Sequence, residues 1–169
     1  MDDFSRPRVV VSKCLGFDNC RYNSQIISSE VVDDLNGYVD FITVCQEVEI
    51  GLGVPRDPVR IVLHDNEKHL IQPESKADYT EKMRNFIEDF FNKNKKIDGF
   101  IMKNKSTACG IKETKIYPKA ENVAPVDRGS GLFGGWVLDH YPKKAVESQA
   151  RLRNYKIREH ILTKIFTSA

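Results

Sequence analysis

Three short apolar runs in this chain each lead into a cysteine. Arg8-Val-Val-Val-Ser-Lys13 runs into Cys14, residues 39–44 end at Cys45, and residues 97–103 stand six residues before Cys109. Runs of this length and β-branching suit strands buried on both faces, as parallel strands are. Between them lie helical patterns. The spacing predicts a short helix over residues 30–36, with Gly37 as its stop, and an amphipathic helix over 78–94. In the latter Tyr79, Met83, Phe86, Ile87, Phe90 and Phe91 share one face, which reads as core. Residues 59–63 make a further strand candidate. Helices over 132–140 and 154–166 complete the pattern, while 111–128 read as polar and irregular. Strands alternating with helices predict an α/β fold: a single three-layer Rossmann-like domain with a mainly parallel sheet, plus a C-terminal amphipathic helix.

That architecture gives the cysteines a meaning. The carboxyl ends of parallel strands form the ligand crevice of an open α/β sheet. Three strand-end loops can bring Cys14, Cys45 and Cys109 together although they are distant in sequence. Three unrelated buried thiols would also fit, because free cysteine is among the most buried residue types. No CxxC pair indicates a zinc site, and no histidine pair such as H-E-x-x-H is present among His64, His69, His140 and His160.

The residues around the cysteines are more specific. VSKCLG at 11–16, VCQE at 44–47 followed by GLGVPR at 51–56, and KNKSTACG at 103–110 together resemble the thiouracil desulfidases of the TudS type. Members of that family show S-x-C-L-G, V-C-P-E with G-L-x-x-P-R, and K-x-x-S-P-S-C-G, in this order. The resemblance spans about residues 8–141. It implies that Cys14, Cys45 and Cys109 hold a [4Fe–4S] cluster through three irons, leaving one iron without a protein ligand. It implies Glu47 as the catalytic carboxylate and Ser106 as a serine near the substrate. Arg21 and Tyr22 fall on the family's R-Y pair and are expected to line the pocket with Arg56. Three departures stand out. Gln46 replaces proline, Thr107-Ala108 replaces Pro-Ser, and Cys20 precedes Arg21 where the family usually has valine. Cys20 is expected as a nearby free thiol rather than a fourth ligand.

The expected activity is non-redox desulfuration of a thiolated pyrimidine: thiouracil, a thiouridine nucleotide, or 4-thiouridine within tRNA. Such a site would use an open iron as Lewis acid and Glu47 as general base. The alternative is a non-catalytic RNA-binding module whose cysteines hold a structural metal. Sulfur insertion into a nucleoside is a weaker third reading.

Charge enters here. The 169 residues carry 26 basic and 24 acidic side chains, a formal net of +2. Seven basic residues (Lys143, Lys144, Arg151, Arg153, Lys156, Arg158, Lys164) face only Glu147 and Glu159 in the last segment, so that segment carries +5 and the remainder −3. Residues 1–142 are accordingly expected as the cluster domain. Residues 143–169 are expected as a basic C-terminal extension or linker helix, in which residues 151–158 resemble the junction into the helical domain of longer family members. That extension suits a tRNA contact or an ordinary docked helix equally. The Gly129-Ser-Gly-Leu-Phe-Gly-Gly135 segment reads as a tight turn with close helix packing, with a weak anion site as the rival. Lys103 and Lys105 read as surface charge. No apolar run approaches a membrane span, and the start MDDFSRPR has no signal-like apolar stretch, so a cytoplasmic protein is expected.

Overall fold

A computed structural model describes residues 5–168. Residues 1–4, the first part of the charged start, lie outside the described residues. Strands β1 (Arg8–Ser12), β2 (Asp40–Val44), β6 (Gly99–Met102) and β9 (Ala145–Ser148) form a parallel sheet in the order β2-β1-β6-β9. Val9, Val10 and Val11 of the central strand are fully buried, as expected of a β-branched strand covered on both faces.

Each face carries its own apolar layer. Val9, Val11 and Ile101 pack with Val31, Val32 and Leu35 of α1 (Glu30–Leu35) and with Ile161 and Ile165 of α5 (Tyr155–Ser168). Val10, Phe100 and Met102 pack on the opposite side with α3 (Thr80–Lys93) and α4 (Leu132–His140). Helix α3 buries Met83, Ile87, Phe90 and Phe91, the stripe expected from helical spacing. The aromatic rings of Phe90 and Phe91 meet Phe133 of α4 at 5.4 and 5.3 Å, close enough for favourable ring contacts. The three-layer α/β arrangement expected from the sequence is present.

A second, mixed sheet accompanies it. Strands β3 (Arg60–His64), β4 (Glu67–Gln72), β5 (Ala77–Asp78), β7 (Thr114–Tyr117) and β8 (Asp127–Gly129) run in the order β5-β4-β3-β7-β8. The strand expected near 59–63 therefore belongs to this sheet and not to the parallel one. Its hairpin partner β4 follows a two-residue turn at Asp65 and Asn66, both with positive φ, the geometry a tight hairpin requires. The segment expected to be irregular, 111–128, contains β7 and most of β8.

The expected division after residue 142 falls between α4 and β9. Strand β9 pairs with β6 from Gly99↔Ala145 to Met102↔Ser148, so the parallel sheet takes its fourth strand from the segment expected as an extension. Helix α5 docks rather than projects. Ile165 is fully buried, and Arg158 pairs with Asp34 and Glu30 of α1. Among the described residues no helix is long and apolar enough to cross a membrane.

Candidate active site

The site lies at the carboxyl ends of β2, β1 and β6, the three adjacent strands of the parallel sheet. Cys14 follows β1 by two residues. Cys45 follows β2 directly and caps the short helix α2 (Gln46–Glu49). Cys109 sits in the turn after β6, where its backbone N–H donates to Ser106 Oγ at 3.2 Å. A cavity of about 280 Å³ is lined by Cys14, Arg21, Tyr22, Cys45, Glu47, Arg56, Ser106 and Cys109. These are the eight residues expected at the site, gathered from four separate loops. Cys20 also lines it, 3% exposed, with the Cys45 thiol 3.6 Å from its carbonyl oxygen.

The thiols sense one another. Burial, then the neighbouring Cys109 and Cys45, pushes the Cys14 thiol up to about 12. Burial likewise raises Cys109, against hydrogen bonds from Ser106 and Ser12 that favour its thiolate. Cys20 is raised by burial and by Cys45. Cys14 and Cys109 are thus buried thiols held neutral, which a soft metal centre would convert to thiolates on binding, with release of the protons. All four cysteines are free.

Ser12 is fully buried and joins two of the loops. Its Oγ accepts the Lys103 N–H at 2.9 Å and stands 3.2 Å from Cys109 Sγ. Lys103, expected as surface charge, is half-buried at the cavity, and burial followed by nearby Arg21 lowers its pKa. Its Nζ donates to Asn104 O and Oδ1 at 2.7 and 2.6 Å. Lys105 is exposed and also borders the cavity.

Glu47 is held on both oxygens. Arg56 donates to Oε2 through Nε at 2.9 Å and Nη2 at 2.6 Å, and Thr107 Oγ1 donates to Oε1 at 2.6 Å. Arg56 Nη1 donates to the carbonyls of Cys20 and Gly53, both at 2.8 Å. Expected as a substrate contact, Arg56 thus directs four of its five N–H donors at the protein itself. Arg21 and Tyr22 lie at the rim, with the guanidinium 5.7 Å from the tyrosine ring. Gln46 is buried with its Nε2 lacking a partner.

The glycine-rich segment serves this site. The N–H groups of Gly131, Phe133 and Gly134 donate to Gly110 O, Ala108 O and Ala108 O at 2.9, 3.0 and 3.2 Å. A Cβ on Gly131 would lie 2.3 Å from Ala108 O, and one on Gly134 2.2 Å from Gly110 O. The start of α4 therefore clasps the Cys109 turn, which takes the N–H groups of Gly131, Phe133 and Gly134. None of the four histidines lines the cavity.

Thr107 and Ser12 were not singled out from the sequence as functional. The serine of S-x-C was a usable signal for Ser12. Thr107 had none, since its contact runs to a residue sixty positions away.

The family model for 2-thiouracil desulfurase matches residues 9–149. The chain belongs to the 2-thiouracil desulfurase family. The match takes in Cys14, Cys45 and Cys109 and extends through β9. One solved structure, described as a [4Fe–4S]-dependent thiouracil desulfidase TudS, superposes with a TM-score of 0.65 at 25% identity, covering 92% of this chain and 99% of that one. No curated protein matches the chain.

Among the described residues no three His, Cys, Asp or Glu side chains are grouped tightly enough to hold a single metal ion. Ligands of a cubane cluster bind different corners and stand further apart than ligands of one ion. An all-thiol donor set in a buried cavity fits an iron–sulfur cluster by its softness.

Proposed function

We propose that this desulfurase-family protein removes sulfur from a thiolated pyrimidine, exchanging C=S for C=O with water and releasing sulfide. The observation that carries the reading is one cavity uniting three strand-end cysteines with a carboxylate fixed beside them. Cys14, Cys45 and Cys109 would hold a [4Fe–4S] cluster, and the similar solved desulfidase is described as [4Fe–4S]-dependent. When bound through three thiolates, such a cluster supplies a soft Lewis acid that withdraws electrons from a thiocarbonyl.

The chain's own residues do the rest. Arg56 occupies Oε2 of Glu47 with two donors, while Oε1 accepts only the Thr107 hydroxyl and keeps a lone pair to take a proton from the attacking water. Ser106, at the mouth of the Cys109 turn, offers a hydroxyl to the heterocycle. Arg21 and Tyr22 at the rim supply charge and a ring face to a planar base. Water's oxygen replaces sulfur on carbon and sulfide departs, with no net change in oxidation state.

The basic C-terminal segment offers less to tRNA than its composition suggests. Lys144 pairs with Asp98, Arg151 with Glu147, and Arg158 with Asp34 and Glu30. A free thiolated base is therefore the substrate we favour over one embedded in RNA. The test is sulfide release from 2- and 4-thiouracil by anaerobically reconstituted protein, beside the same assay on 4-thiouridine-containing tRNA. Release from the free bases is expected. A cluster-loaded protein that releases no sulfide from any of the three would overturn the reading.

A further inference from the structure

The Glu47 carboxylate is anchored in an asymmetric way. Both Arg56 donors meet the same oxygen, Oε2, at 2.9 and 2.6 Å. Two bonds to one oxygen leave the carboxylate able to pivot about it. The bond that stops this pivot is from Thr107 Oγ1 to Oε1 at 2.6 Å. A carboxylate can only accept, so the threonine proton lies on this bond. Thr107 stands two residues before Cys109 and Glu47 two after Cys45. The bond therefore also ties the two cysteine loops together across the cavity that both residues line.

Arg56 cannot take over this task. Its Nη1 is fixed by the Cys20 and Gly53 carbonyls, so the guanidinium has no freedom to turn toward Oε1. Thr107 is also one of the positions where this chain departs from the family motif, and proline there would bring no hydroxyl.

We infer that Thr107 is a positioning residue for the desulfuration, its hydroxyl setting the direction in which Glu47 Oε1 faces the cavity. The inference rests on Glu47 acting in the reaction proposed above. Geometry within a fraction of an ångström matters for a base that must meet one water.

The test compares Thr107→Val, which keeps the shape and loses the hydroxyl, with Thr107→Ser, which keeps the hydroxyl. Iron content, kcat and KM are measured on reconstituted full-length protein, with the Glu47 carboxyl-carbon resonance recorded in the same chains before cluster loading. Loss of a hydrogen bond to a charged group corresponds to about a tenfold to hundredfold effect. T107V is expected to keep its iron and its KM, to lose kcat on that scale, and to shift the Glu47 resonance. T107S is expected to match the wild type on every count. A wild-type kcat in T107V, a T107S as impaired as T107V, or loss of iron in T107V would each overturn the inference. Should the wild type itself release no sulfide, the functional reading falls, and an unmoved Glu47 resonance in T107V would independently refute the positioning.

Discussion

Arg56 and Glu47 form a bidentate ion pair, with Nη2 and Nε at 2.6 and 2.9 Å from one oxygen and the arginine side chain only 4% exposed. Removing one member of a buried pair leaves the other charge stranded and typically costs about 3–5 kcal/mol. Arg56→Leu is therefore expected to lower the denaturant midpoint strongly. Glu47→Gln keeps the shape and one acceptor, so it should unfold nearer the wild type, retain iron, and lose turnover. Urea unfolding and iron analysis of both variants check this pair of outcomes. An E47Q variant with wild-type turnover would remove Glu47 from the reaction.

The glycines of the α4 start predict a graded response. Gly131→Ala and Gly134→Ala drive a Cβ to within 2.3 and 2.2 Å of backbone oxygens in the Cys109 turn. Backbone cannot give way as a side chain can, and overpacking of this kind costs about 1–3 kcal/mol. Both variants are expected to melt lower and to hold less iron. Gly135→Ala meets only the Ser130 side chain, at 2.6 Å to its Oγ, and should be nearly neutral. Thermal melts of the three variants separate the cases.

The Cys14 thiol gives the cluster-free protein a particular pH dependence. Its pKa is pushed up to about 12 from an ordinary 9.0. Below pH 9 both folded and unfolded chains keep this proton. As pH rises from 9 towards 12 the unfolded chain loses it while the folded chain retains it, so stability falls. Cys109, also raised, acts in the same direction. Unfolding curves at pH 7.5 and 10 should show a drop that Cys14→Ser makes smaller. Metal loading releases the same protons, so it should become more favourable across that range.

The docked helix α5 yields a packing prediction. Ile165 is fully buried against Gly99 of β6, where an added Cβ would stand 2.8 Å from Ile165 Cγ1. Ile165→Ala should cost about 2–5 kcal/mol, as buried isoleucine truncations do. Arg158→Ala removes exposed pairings to α1 and should cost at most about 1 kcal/mol. A negligible effect of I165A on the melting temperature would mean that α5 is not part of the folded core.

The parallel sheet was legible because β1 and β6 are short, apolar and uninterrupted, and burial on both faces leaves that mark. Of the second sheet only β3 was legible, because β4 reads Glu-Lys-His-Leu-Ile-Gln and its partly exposed residues dilute the alternation. The paired positive-φ residues Asp65 and Asn66 were the one local hint of its hairpin. Strand β9 was hidden within a segment whose basic charge suggested an extension. At the site, Cys14, Cys45 and Cys109 could be gathered from their strand-end positions and flanking motifs. What Arg56 touches could not, since a guanidinium in a loop is equally suited to a ligand or to a neighbouring carboxylate. Only the fold shows that Glu47 lies in front of it.

We propose that Cys14, Cys45 and Cys109 together hold an iron–sulfur cluster while Cys20 does not. Iron and acid-labile sulfide per chain after anaerobic reconstitution test it most directly, in the wild type and in each Cys→Ser variant. About four irons and four sulfides are expected in the wild type and in C20S, with a large loss of both in C14S, C45S and C109S. A wild type that takes up no cluster, or a C20S variant that loses it as fully as the other three, would overturn this ligand assignment.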